Sequence, residues 1–193
     1  MILNSQQIRW FCEHQDMISP FVDHQNRNIG KKRVISYGLG GFGYDLRLSE
    51  KDFRVFRRTG GDIIDPKSFD ADHLFSSRLI EDGSGKYFIL PGHSYGLGVS
   101  VERLSIPKHI EALFIGKSTY ARCGIIVNMT PGENGWIGNL TIEISNSAPV
   151  DAKIYANEGV CQALFFSGEL PEIVYESSRK YQNQPERVVL PKI

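Results

Sequence analysis

From about residue 36 onward the sequence repeats one pattern: a short run alternating apolar and polar residues, then a cluster of Gly, Pro, Asn or Asp. Alternation has the period of a β-strand, and the punctuating residues are those that tight turns select. Residues 44–49, 51–56, 95–101, 111–115, 125–129, 140–145 and 161–166 all read this way. Their close spacing predicts an all-β fold, as a sandwich, jelly roll or distorted barrel. A helical signal occurs only at the start, where Ser5 can cap a run with Ile8, Phe11 and Cys12 on one face and Trp10 beside it, ended by Pro20. Residues 63–86 lack strand alternation, and 72–75 can form one helical turn in a long loop. A chain of 193 residues suits a single domain over 1–193. The polar tail from Glu176 to Glu186 reads as disordered on composition alone.

Lys plus Arg equal Asp plus Glu at 22 each, so the chain lacks the net positive field that duplex nucleic acid or an anionic membrane selects. Any polyanion it binds is expected to be small and met locally. The first residues carry no charged segment leading into an apolar run, and no stretch is long enough to span a bilayer, which predicts a cytoplasmic protein. Cys12, Cys123 and Cys161 are odd in number and far apart, so neither a disulfide framework nor a Cys-x-x-Cys metal site is expected.

Some motifs mimic chemistry without completing it. Gly38-Leu-Gly-Gly-Phe-Gly43 has dinucleotide-loop spacing but runs into a period-two strand instead of a helix, so it reads as a close-packed turn. His109-Ile-Glu111 gives half of a zinc-deaminase signature whose Pro-Cys-x-x-Cys half is absent. Gly116-Lys-Ser-Thr lacks the rest of a P-loop.

Two segments remain. In Leu140-Thr-Ile-Glu-Ile-Ser-Asn146, alternation puts Leu140, Ile142 and Ile144 on one face and Thr141, Glu143 and Ser145 on the other, so Glu143 points away from the core. Gly116-Lys-Ser-Thr-Tyr-Ala-Arg-Cys-Gly124 gathers two hydroxyls and two cations between glycines, suited to an anionic ligand or to a tight polar turn. Together with the Gly135-Trp-Ile-Gly138 turn, in this order and spacing, these blocks resemble the signature blocks of the dCTP deaminase family. Residues 36–47, Asp65-Pro66, 89–92, 158–162 and Lys180-Tyr-Gln-Asn-Gln184 extend the resemblance over nearly the whole chain.

The resemblance implies a dUTPase-like distorted β-barrel or jelly roll, assembled as a homotrimer, or a dimer of trimers, with active sites between subunits. It implies zinc-independent hydrolytic deamination of dCTP to dUTP and ammonia, supplying dUTP for dUMP and dTTP synthesis, with dTTP a candidate inhibitor. Magnesium is expected to arrive on the triphosphate. Glu143 matches the glutamate that activates water, and Ser118 and Arg122 match the residues that hold the water and the glutamate. Lys117, Ser118, Thr119, Arg122 and Trp136 fall on substrate-binding positions. A lid over about 175–193 places Tyr175, Lys180 and Gln184 on the triphosphate, although Pro185-Glu186-Arg187 departs from the family's usual ending. Glu133 falls on the carboxylate position of the dUTPase block Asp-x-x-Tyr-x-Gly, which keeps a bifunctional deaminase-diphosphatase as an alternative. A non-catalytic nucleotide-binding regulator is the other, though binding phosphate needs no glutamate.

Overall fold

The computed structural model describes residues 1–57, 63–128, 130–176 and 178–192. Met129, at the end of one expected strand, and Ser177 and Ile193, in the expected lid, lie outside the described residues. The class is all-β, as expected, with the strands in three sheets and no closed barrel among the described residues. One six-stranded sheet is built around Ser94–Ser105, which pairs with Ile137–Asn146 on one side and Arg54–Phe56 on the other. The other six-stranded sheet runs through Ile110–Gly116, Gly159–Ser167, Tyr44–Arg47 and Lys32–Leu39. A three-stranded sheet of Ala152–Tyr155, Gly85–Leu90 and Ile80–Asp82 completes the set. Paired strands run antiparallel throughout, and side chains from all three sheets meet in one core that includes Leu46, Phe88, Phe114, Ile142, Ile144 and Phe165. No described helix is long and apolar enough to cross a membrane.

The N-terminal helix spans Ser5–Gln15, with Ile8 and Cys12 buried. Its cap is Asn4, one residue before the expected Ser5, because the Asn4 and Gln7 side chains bond each other's backbone N–H groups as a capping box. The helix ends at Asp16, whose left-handed backbone (φ 50°) turns the chain well before Pro20. The expected helical turn is a 3-10 turn at Ala71–His73, and the loop around it also contributes the short strands Leu74–Ser76 and Ile80–Asp82, too short to show an alternation. At Gly43, with φ 110°, a Cβ would lie 2.6 Å from the Ala163 carbonyl oxygen, so the glycine-rich segment is the close backbone approach expected of it.

One ion pair is sealed into this frame. Glu102 is fully buried, and its carboxylate accepts from both Arg47 Nε (2.7 Å) and the Arg47 amide (2.9 Å). Removing one member of a buried pair leaves the other charge without compensation, at about 3–5 kcal/mol. Glu102→Leu is therefore expected to lose about that much stability in denaturant unfolding at fixed protein concentration. Adding Arg47→Met is expected to recover much of it; a single substitution costing under about 1 kcal/mol contradicts the assignment.

Candidate functional site

The strand Ile137–Asn146 delivers Glu143. Its apolar members Ile142 and Ile144 are buried in the core, and Glu143 emerges opposite, beside Leu97 in the adjoining strand. Strict alternation fails at Leu140. The register with Ser94–Ser105 shifts between Asn139 and Thr141, a bulge that leaves the Leu140 amide outside the ladder. That amide donates to the fully buried Ser100 hydroxyl at 2.8 Å, and the Asn139 side-chain amide donates to the Ser100 and Val101 carbonyls. The bulge turns Leu140 onto the same wall as Thr141 and Glu143, where all three line a cavity of about 320 Å³. Such a volume holds a small organic ligand.

Glu143 is half-buried, and burial pushes its carboxyl above the usual glutamate range. Hydrogen bonding from Asn128 works in the opposite direction. Asn128 continues the edge strand Ile125–Val127 alongside: its amide donates to the Glu143 carbonyl at 3.0 Å, and its side chain donates to the Tyr95 hydroxyl at 2.8 Å. Burial, and then the charge of Glu143, push Tyr95 up to about 12. Glu143 is thus set between a half-dry cavity that favours its protonated form and an amide that favours its carboxylate. A carboxyl so balanced can accept a proton and return it.

The tail supplies the opposite wall. Composition reads it as disordered, yet it is tied to the chain by long-range backbone bonds that composition cannot register. The Gln184 carbonyl accepts from the Asn139 amide (2.9 Å), the Asn183 amide donates to the Ile137 carbonyl (2.7 Å), and Trp136 Nε1 donates to the Tyr181 carbonyl (2.8 Å). Gln184 is buried, with its side-chain oxygen accepting from the Thr141 hydroxyl at 3.1 Å. Tyr175 lines the cavity and its hydroxyl accepts from the Tyr181 amide. Beyond Gln184, Glu186 pairs with Lys51, and Val188 is buried in a small second cluster with Leu74 and Leu97.

The cavity therefore brings together Glu143, Glu133, Trp136, Tyr175 and Gln184 from the residues singled out in the sequence. Thr130, Thr141, Tyr181, Val189 and Pro191 join them, and Asn128 and Tyr95 stand behind Glu143. Thr141 and Tyr181 fall within the blocks 140–146 and 180–184 without a role of their own there; the register of Val127 against Ile144, which sets Asn128 opposite Glu143, is the signal that finds Asn128. The remaining site residues lie outside the lining. Lys180 is exposed. Ser118, Thr119 and Arg122 are exposed on the short helical turn Ser118–Ala121 and its end, while Lys117 is largely buried against Asp45. That turn adjoins the far end of the Glu143 strand, since the Ser147 amide donates to the Gly124 carbonyl. His109 packs against Phe11, and Glu111 accepts from the Asn134 amide. Among the described residues no three of His, Cys, Asp and Glu gather as a metal site would require.

A family model described as dCTP deaminase-like matches residues 2–168. The chain is 45% identical over 194 residues to the dCTP deaminase of Pelagibacter ubique, covering 100% of this chain and 99% of that one. It is 48% identical over 189 residues to the dCTP deaminase of Acidobacterium capsulatum, covering 96% and 97%. A crystal structure of 2'-deoxycytidine 5'-triphosphate deaminase from Agrobacterium tumefaciens shares the fold, with a TM-score of 0.56 at 16% identity over 86% of this chain and 48% of that chain.

Carbon-detected NMR titration of the side-chain carboxyls is expected to place Glu143 above the exposed glutamates. In Asn128→Ala it is expected to move higher still, because the lost hydrogen bond favours the ionised form. A downward movement contradicts this balance.

Proposed function

The chain belongs to the dCTP deaminase-like family, and from that premise we propose that it hydrolyses the 4-amino group of dCTP, giving dUTP and ammonia. The observation that supports this most is the position of Glu143, half-buried in the cavity with its carboxyl raised by desolvation. Hydrolytic deamination needs a water deprotonated as it attacks C4, a proton delivered to N3 and a proton delivered to the departing amine. One carboxylate that accepts and then returns protons serves all three. Burial raises the Glu143 carboxyl and so makes it a better proton acceptor than an exposed glutamate, with hydrogen bonding from Asn128 acting in the opposite direction.

The rest of the reacting site comes from a neighbouring copy in a homotrimer. Ser118, Thr119 and Arg122 project outward from their own chain, so they are available to a partner's cavity. There Ser118 holds the attacking water, Arg122 holds Glu143, and Thr119 meets phosphate oxygens. Trp136, Tyr175 and Gln184 shape the nucleotide side, and Lys180 adds charge at the triphosphate. Magnesium comes bound to the nucleotide, neutralising triphosphate charge, and no zinc takes part. The dUTP released in the cytoplasm feeds dUMP and dTTP synthesis. Glu133 supports the turn before the Glu143 strand and cleaves no phosphoanhydride bond.

Purified protein with magnesium and dCTP is expected to yield dUTP and ammonia in equal amounts without pyrophosphate; pyrophosphate rising in step with ammonia establishes the diphosphatase instead. Glu143→Gln keeps the shape but cannot accept a proton, so it is expected to lose about a hundredfold or more in kcat while calorimetry still shows dCTP binding. Turnover within tenfold of the parent removes Glu143 as the shuttle. Prolonged treatment with a zinc chelator is expected to leave deamination intact, and loss of activity restored by zinc alone contradicts the zinc-free reaction.

A further inference from the structure

Pro185-Glu186-Arg187, where the sequence departs from the family's usual ending, forms a tight turn. The Arg187 amide donates to the Pro185 carbonyl at 2.7 Å, a bond from the third residue to the first that centres the turn on Glu186. Proline suits the first position because its ring fixes φ, and it keeps the residue before it extended, as the parallel bridge between Gln184 and Gly138 requires. The turn takes the chain from the strand Ile137–Asn146 to residues 49–54, where the Val188 amide donates to Asp52 Oδ2 at 3.0 Å. Arg54 holds that carboxylate in place, donating to it from Nε and Nη2 at 3.3 Å each.

Glu186 itself is gripped on the side away from the cavity. Its Oε1 accepts from the Ser49 hydroxyl at 2.7 Å, and its Oε2 pairs with Lys51 Nζ. The Lys51 side chain is 63% exposed, so that pair is screened by water and weak. Ser49 is buried: its amide donates to the Val99 carbonyl in the central strand, and its hydroxyl accepts from the Lys51 amide, which leaves the hydroxyl proton for Glu186. A buried hydroxyl donating to a carboxylate is the stronger of the two contacts. On the cavity side, the Thr141 hydroxyl donates to Gln184 Oε1 at 3.1 Å and accepts from the Val189 amide at 3.4 Å. Gln184, Val189 and Thr141 line the cavity, whereas Glu186, Ser49 and Lys51 do not. The loop from Gln184 to Val189 is thus clasped on both faces, by Thr141 beside Glu143 and by Ser49 and Asp52 behind.

We propose that Glu186 is a positioning residue which, clasped by Ser49 and Lys51, fixes the loop from Gln184 to Val189 and so sets how long a nucleotide stays enclosed, without touching the nucleotide or the reacting atoms. This rests on the deaminase function proposed for the same chain. A loop held in its enclosing shape costs less to order around a ligand, so the clasp acts on affinity and release. The strand that carries Glu143 is held by Ser94–Ser105 and Ile125–Val127, and the clasp leaves its proton transfers as they are.

The test uses Glu186→Ala, Ser49→Ala, their double variant and Glu186→Gln in the full chain. Glu186→Ala is expected to raise KM for dCTP about fivefold or more while kcat moves less than about threefold. Combined with Glu143→Gln to prevent turnover, it is expected to release dCTP faster by a similar factor in a stopped-flow chase. Ser49→Ala is expected to raise KM in the same way, and the double to bind no more weakly than the worse single, since both remove one bond. Glu186→Gln keeps an acceptor for Ser49 and is expected to recover most of the parent's KM. Without nucleotide, hydrogen exchange at Val188 and Val189 is expected to accelerate in Glu186→Ala, while Ile142 and Ile144 exchange as in the parent. If those two accelerate as well, the fold itself has loosened, and Ser49→Ala decides by the same KM criterion. A smaller rise in KM, or a fall in kcat at unchanged KM, overturns the proposal and leaves Glu186 an ordinary surface ion pair. Failure of the parent protein to deaminate dCTP removes the proposed function instead. The exchange measurement needs no substrate and still decides the clasp: unchanged exchange at Val188 and Val189 overturns it even then.

Discussion

A strand that carries one extra residue must leave an amide outside its ladder, and a buried amide without a partner is costly. In Ile137–Asn146 that amide belongs to Leu140, and the Ser100 hydroxyl accepts it from a position with no exposed surface. The rest of the site follows from this contact. With the bulge satisfied, Leu140 joins Thr141 and Glu143 on the cavity wall while Ile142 and Ile144 stay in the core. Immediately before the bulge, Gly138 and Asn139 are free to receive the returning tail through Gln184. One strand therefore serves the core on one face, the cavity on the other and the tail at its start.

The half-burial of Glu143 is a product of the same arrangement. Its neighbours across the ladder, Leu97 on one side and Asn128 on the other, differ in kind, one apolar and one polar. The carboxyl accordingly meets a dry surface on one side and a hydrogen-bond donor on the other. Full burial would hold it protonated, and full exposure would leave it an ordinary glutamate.

How much of this is legible in the sequence depends on range. Glu143 and its outward aim follow from alternation over a few residues, and the N-terminal helix and the glycine turn at Gly43 are equally local. The bulge at Leu140 is not, because it needs Ser100, forty residues earlier, to satisfy it. Nor is the order of the tail: its polar composition is real, but its amides and carbonyls find partners in Trp136, Ile137 and Asn139, which no window of tail residues contains. Lys117 is the instructive case. Beside Ser118 and Arg122 it reads as one more outward cation, and only the fold, by bringing Asp45 up from a distant strand, turns it inward.

The small cluster around Val188 fastens the end of the chain to Leu97 in the strand Ser94–Ser105. Val188, Leu74 and Leu97, with Leu190 against them, hold the last segment of the chain apart from the main core. Releasing it costs the burial of a few side chains and a handful of hydrogen bonds, on the order of a few kcal/mol, where melting the sheets costs the whole stability of the fold, typically about 5–15 kcal/mol. On those magnitudes the wall formed by Gln184, Val189 and Pro191 is the side of the cavity that costs least to open. Opening on that side would leave the strand that aims Glu143 in its place between Ser94–Ser105 and Ile125–Val127.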